Sequence, residues 1–286
     1  MKKTLLVLAL ALLGASACPF NAYARDNSKE EIGLSLEVGA DLVSSYLWRG
    51  FNLGGMSLQP SVTVWWQGLY VCGWANIGTD NWAFEELNPE LDITIGYDNM
   101  GLQVDLTHLY YFGGDPYFPK GGFKPMPVDY EASTTMEAHV GFQLGELIEN
   151  IPLSIDWYTT IYGADFYLDE NNNPKRAWSS YLQVGYDFEL PLGMILGARI
   201  GVTPWKSSYT GYGEVWKNAK TVGINNIHLR LEREFELSII SLGVWGECML
   251  NCYDLNKHNL TTTLENKADQ HLNWRIGGSL YFGCDW

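Results

Sequence analysis

The stretch Leu272-Asn273-Trp274-Arg275-Ile276-Gly277-Gly278-Ser279-Leu280-Tyr281-Phe282-Gly283-Cys284-Asp285-Trp286 closes the chain and carries a strict two-residue period. Leu272, Trp274, Ile276, Gly278, Leu280, Phe282, Cys284 and Trp286 fall on one face, which holds no charge. Asn273, Arg275, Ser279, Tyr281 and Asp285 fall on the other, with two glycines between them. Successive side chains of a strand point to opposite sides, so this is a strand with one apolar and one polar face. A half-buried strand of a soluble sandwich has the same pattern. Length separates the two, because globular strands average nearer five or six residues.

Working back from the end, the alternation recurs. Leu34, Leu36, Val38, Ala40, Leu42, Tyr46 and Trp48 oppose Ser35, Glu37, Gly39, Asp41, Ser45 and Arg49. Val62, Val64 and Trp66 oppose Gln59, Ser61 and Thr63, and Leu91, Ile93, Ile95 and Tyr97 oppose Glu90, Asp92, Thr94 and Asp98. About twelve such runs are expected, near 34–48, 58–67, 69–78, 90–98, 102–112, 130–143, 153–163, 178–189, 194–203, 221–235, 239–251 and 272–286. Most reach the length of roughly ten residues that a tilted strand needs to cross a bilayer. The facing of 69–78 and of 221–227 is ambiguous, and Asn225-Asn226 reads as a bulge. Connections alternate between short (Gln67-Gly68, Asp98 to Gly101, Leu190 to Gly193, a turn near Glu236) and long, Gly- and Pro-rich ones, with 144–152 somewhat longer than the other short ones. The fold class expected is an all-β, transmembrane antiparallel barrel of about twelve strands, with short periplasmic turns, longer extracellular loops and both termini on the short-turn side.

The beginning of the chain fits export. Lys2 and Lys3 precede the apolar core Thr4 to Gly14, and Ala22-Tyr23-Ala24 offers a small-x-small cleavage site. Residues 1–24 read as a signal peptide and 25–286 as a single barrel domain in the outer membrane of a Gram-negative bacterium. No later stretch has the ~20 apolar residues of a spanning helix, and in lipid only helices and closed barrels pair every backbone polar group. Removing the two leader lysines takes the net charge from −15 to −17. That argues against a nucleic-acid partner, since phosphate neutralisation needs lysine and arginine. Charged residues make up only 18%, while 12 Trp, 17 Tyr and 30 Gly suit β structure at a membrane interface. Cys248 and Cys252 lie too far apart along one strand for a disulfide, and no zinc-ligand spacing accompanies them, so no metal or other cofactor is expected.

The segment Asp41-Leu42-Val43-Ser44-Ser45-Tyr46-Leu47-Trp48-Arg49-Gly50 resembles the TorF family of proposed porins, whose first strand ends in S-x-Y-x-x-R-G. Gln59-Pro60 and Gly73-Trp74-Ala75 are similar to that family's second and third strands. The resemblance covers roughly 40 residues and implies an outer-membrane barrel and a pore; it brings no substrate and no catalytic residue. Phe282 and Trp286, with the apolar residues alternating before the end, resemble the C-terminal signal read by the barrel-assembly machinery.

Inward-facing charge carries the functional expectation. The candidate pore-lining residues are Glu37, Asp41, Asp92, Asp105, Glu131, Glu137, Asp156, Asp187 and Glu232, against Arg49, Arg199, Arg230 and Arg275. Acid exceeds base, which predicts a porin-like channel for passive diffusion of small hydrophilic solutes with a weak cation preference. The alternative is that these charges pair across strands and fill a closed or narrow barrel with a binding or envelope-structural role. Arg49 reads first as an ion-pair partner for an acid on the following strands, and second as a selectivity group. A membrane-embedded hydrolase is less favoured: Glu137, His139 and Asp156 lack a serine partner, as does the outward His108. The chain is therefore expected not to be an enzyme. Loop aromatics such as Trp82 and Trp205 read as an interfacial girdle. The sequence leaves the oligomeric state open; lipid and the assembly machinery are the partners expected beside the solutes.

Overall fold

A computed structural model describes residues 33–78, 89–111, 134–148, 151–163, 165–169, 171, 174–205, 207, 222–252 and 272–285. The signal peptide, Glu131, Trp286 and most of the loop aromatics lie outside these residues.

Twelve antiparallel strands close into a barrel. In chain order the wall is β1 (Leu34–Val43), β4 (Ser57–Trp66), β5 (Leu69–Gly78), β6 (Glu90–Asn99), β7 (Leu102–Tyr111), β8 (Thr134–Gln143), β9 (Leu153–Gly163), β12 (Ser180–Leu190), β13 (Met194–Thr203), β14 (Gly223–Leu237), β15 (Ile240–Asn251) and β16 (Leu272–Asp285). Each pairs with its neighbours in sequence, and β1 pairs with β16 from Ser35↔Asp285 to Val43↔Gly277, which seals the sheet. Closure leaves no unpaired edge, the condition for a sheet to sit in hydrocarbon. Two short ribbons stand apart from the wall: β2 (Tyr46–Trp48) with β3 (Phe51–Gly54), and β10 (Phe166–Leu168) with β11 (Pro174–Arg176).

The facing follows the sequence period. Leu42, Val64, Ile93, Ile95, Val104, Val140, Val184, Leu229, Val244 and Ile276 point outward and are exposed, while Gln59, Thr63, Asp92, Gln103, Asp156 and Asp187 point inward and are buried. A skin of exposed Ile, Leu and Val around a polar interior inverts a soluble protein, and it identifies a lipid-facing wall. The chain is a membrane barrel of the bacterial outer-membrane kind.

The short turns gather on one rim. Gln67-Gly68 (φ 51° and 83°) and Met100-Gly101 (φ 51° and 76°) have the paired positive φ of type I′ hairpins. Residues 144–152 hold one helical turn, Leu144–Leu147. The turn expected near Glu236 falls two residues later, at Ser238 (φ 62°), because β14 continues to Leu237. The bulge read at Asn225-Asn226 is present: Gly201 pairs with Asn226 and Val202 with Ile224, so Asn225 is the extra residue.

Inward rings lie across glycines of the adjoining strand. Tyr281 covers Gly39, Tyr70 covers Gly96 and Trp245 covers Gly277, and a Cβ at any of these glycines would collide with the ring. Large lumen side chains thus lie flat along the wall, a cross-strand aromatic–glycine arrangement that also pins register.

One expectation is corrected. The run 34–48 is not a single strand: β1 stops at Val43. The Ser44 N–H still donates to the Ile276 carbonyl (3.0 Å), but the Ile276 N–H donates to the Ser44 hydroxyl (3.0 Å). A side-chain oxygen has taken a ladder bond from the backbone, and the main chain is free to leave the wall. Tyr46, placed on the lipid face by the period, is instead buried inside.

Candidate functional site

The site is the lumen, and the β2–β3 hairpin is its most distinctive element. Tyr46 and Leu47 are only 8% and 4% exposed. The Tyr46 hydroxyl donates to Glu90 on β6 (2.8 Å), and its ring lies 5.8 Å from Trp74 on β5. At the tip, Arg49 (φ 44°) and Gly50 (φ 99°) make the tight turn. Arg49 binds both oxygens of Glu137 on β8, at 2.6 and 2.8 Å. Its guanidinium also sits over Trp48 (4.7 Å), Tyr158 of β9 (4.1 Å) and Tyr181 of β12 (4.7 Å). The Gly50 N–H points at the Met249 sulfur on β15 (2.8 Å), and a Cβ at Gly50 would stand in tight contact, 3.2–3.3 Å, with Asn226 and Asn225 of β14. The hairpin therefore reaches walls on both sides of the interior.

Beneath Arg49 lies an acidic sector. His139 of β8 holds Asp105 of β7 at Nδ1 (2.7 Å) and Asp156 of β9 at Nε2 (3.4 Å), with its ring stacked on Tyr158 at 4.2 Å. Asp105 also accepts from Tyr70 (2.9 Å) and Gln103 (3.2 Å). Asp92 is buried, and its Oδ1 has no hydrogen-bond partner among the described residues. Because both ring nitrogens of His139 face carboxylates, neither is placed to draw a proton from a hydroxyl. The outward His108 bonds the Thr134 hydroxyl at 2.6 Å.

The basic residues gather on the other side. Arg199 of β13 makes a two-point pair with Asp187 of β12, at 2.5 and 3.0 Å. On β14 to β16, the wholly buried Glu247 carboxylate faces His228 (3.0 Å), Arg230 (3.8 Å) and Arg275. Arg230 also pairs with Glu232 at 2.7 Å. The Arg230 and Arg275 guanidiniums lie over Trp245, 4.2 and 4.8 Å from its ring. Beside Arg230, Glu232, Trp245, Ser279 and Tyr281 is a cavity of about 120 Å³ toward the short-turn rim.

Of the residues expected to line the lumen, Asp41, Asp92, Asp105, Glu137, Asp156, Asp187, Arg199, Arg230, Glu232 and Arg275 point into it from the wall. Glu37 does so near the short-turn rim, and Arg49 enters on the hairpin rather than at a strand end. Asp41 accepts from the Tyr281 hydroxyl (3.0 Å). Sequence reasoning missed Glu247 as a site residue, along with His228 and Glu90. The period alone could have found Glu247, which shares a face with Trp245 and Met249; the apolar character of those two hid it. The face of β5 left open, Tyr70, Cys72, Trp74 and Asn76, is inward.

No family model matches the sequence, and no curated protein is similar to it. Solved barrels are similar at a distance. The NanC porin aligns over 86% of this chain and 98% of its own length, with a TM-score of 0.45 and 10% identity. An outer membrane channel from Pseudomonas putida F1 aligns over 91% and 98%, at 0.41 and 10%. The P. putida toluene transporter TodX aligns over 97% and 94%, at 0.39 and 11%.

Proposed function

We propose that this chain is a TorF-like outer-membrane channel through which small hydrophilic solutes diffuse passively, with a weak preference for cations and no enzymatic role. The observation that supports it most is the inner face. It carries Asp41, Glu90, Asp92, Asp105, Glu137, Asp156 and Glu247, and the Oδ1 of buried Asp92 has no hydrogen-bond partner among the described residues, which suits a carboxylate that meets water, because buried charge is costly unless solvated or paired. Lumen charge of one predominant sign selects the permeant ion, and carboxylates outnumber the four described lumen arginines, Arg49, Arg199, Arg230 and Arg275. At the end of β16, outward Leu280 and Phe282 are the described part of the segment we assign to recognition by the barrel-assembly machinery.

A second reading rests on the hairpin: by filling part of the lumen it favours a narrow or closed barrel with a binding or structural role. Planar-bilayer recordings of the purified, folded protein separate the two. Discrete openings, with a reversal potential of cation-selective sign under a potassium chloride gradient, are expected. Silence across repeated insertions overturns the channel and leaves the closed barrel.

A further inference from the structure

Resting on the channel reading, we infer that the β2–β3 hairpin is the constriction of the pore, and that the Arg49–Glu137 pair sets selectivity there by holding two opposite charges cancelled against each other.

The hairpin leaves the wall beside β16, is fixed by Tyr46 to β5 and β6, meets β8, β9 and β12 through Arg49, and meets β14 and β15 through Gly50. A solute crossing the barrel passes the hairpin whichever wall it follows. The pair is enclosed: the side chains of Arg49 and Glu137 are 9% and 11% exposed, and three aromatic rings flank the guanidinium. Two-point geometry and π contacts hold the arginine in one orientation, with little of its charge presented to a passing ion. The nearby carboxylates of Asp92, Asp105 and Asp156 then dominate the local field. Breaking the pair from either side exposes one charge at the narrowest section, with opposite signs for the two partners.

This gives a signed test. Glu137→Gln unmasks Arg49 and moves the reversal potential toward anions, with the cation-to-anion permeability ratio falling about twofold or more. Arg49→Gln unmasks Glu137 and moves it the other way. Glu137→Gln with Arg49→Gln together returns it close to the parent value. The constriction is tested by excision. Val43 and Ser57 are directly paired, so replacing residues 44–56 with Asn-Gly closes β1 onto β4 through a two-residue turn. Conductance should then rise about twofold or more. Equal conductance with and without the hairpin, together with unshifted single variants, overturns the inference and leaves the channel intact. A silent parent with a conducting excision variant supports the hairpin as a complete block. Silence in both overturns the channel reading itself. Should the excision variant not fold, as judged by heat-modifiable gel mobility, the signs of the two single-variant shifts decide.

Discussion

Lysine scanning across one strand tests the premise on which every functional statement depends, namely which face meets lipid. Ile276 and Ser279 are three residues apart on β16 and point to opposite sides. Ile276 is 61% exposed and pairs with Gly246, in the middle of β15, so its side chain sits at the depth of the hydrocarbon with no neighbour to shelter it. Lysine at the midplane of a barrel's lipid face costs about 2–4 kcal/mol. At about 1.4 kcal/mol per factor of ten, Ile276→Lys should lower the folding equilibrium by roughly thirty- to several-hundred-fold. Ser279 faces the lumen opposite Asp41. Ser279→Lys loses the hydrogen bond from Trp245 Nε1 (3.2 Å), worth about 0.5–1.5 kcal/mol, and places its ammonium beside the Asp41 carboxylate, so its net cost should stay well below that of Ile276→Lys. Urea titration of folding into phosphatidylcholine vesicles, read by tryptophan fluorescence and gel mobility, measures the difference. Equal midpoints, or a larger loss for Ser279→Lys, would refute the facing and with it the lumen.

Three further outcomes follow from particular contacts. In single-tryptophan variants, brominated lipid should quench the outward Trp66 and Trp274 strongly and leave the inward Trp74 and Trp245 bright; uniform quenching contradicts the topology. Gly277→Val drives a side chain into the Trp245 ring and should cost about 1–3 kcal/mol in the same urea assay, whereas Gly283→Val meets open space and should be silent. Glu247→Gln removes the carboxylate shared by His228, Arg230 and Arg275, leaving cations clustered without it; a loss of about 3–5 kcal/mol in folding free energy is expected, and an unchanged midpoint would show that water, not Glu247, compensates them.

The wall was legible in the sequence because its two faces meet different solvents all along each strand. Ile93 and Ile95 need hydrocarbon while Asp92 and Thr94 need water or partners, so the period survives over ten residues without help from tertiary detail. Where a lumen position is covered by protein, the contrast fades. Tyr70, Cys72 and Trp74 point inward yet are apolar or aromatic, since Trp74 packs on Tyr46 and Tyr70 lies over Gly96, and the facing of β5 was therefore ambiguous. Glu247 was hidden by Trp245 and Met249 for the same reason. Partner identity was out of reach altogether. Arg49 and Glu137 are 88 residues apart, and which acid the arginine meets depends on the curvature of the closed sheet and on the hairpin's inward turn, neither of which is written in a local pattern.

The segment Ser44 to Gly50 shows how one pattern serves two structures. Its alternation of Tyr46 and Trp48 with Ser45 and Leu47 reads on from β1, because a hairpin buried in a polar lumen is a β element with its own two faces. What distinguishes it from more wall is chemistry at single positions. Ser44 supplies an acceptor in place of a backbone carbonyl and ends the ladder. Tyr46 carries a hydroxyl that has no use in lipid but reaches Glu90. Arg49 would be ruinous on the lipid face at mid-depth, and here it is held by Glu137 and the rings around it. Gly50 has the left-handed backbone (φ 99°) that favours glycine, and it sits close against Asn225 and Asn226. These four positions are the fixed letters of S-x-Y-x-x-R-G, and each acts on the hairpin rather than on the wall. Together they hold the hairpin folded inward, and on the constriction inferred above a variant of this chain that keeps the barrel period but loses these four residues should form the same wall around a wider lumen.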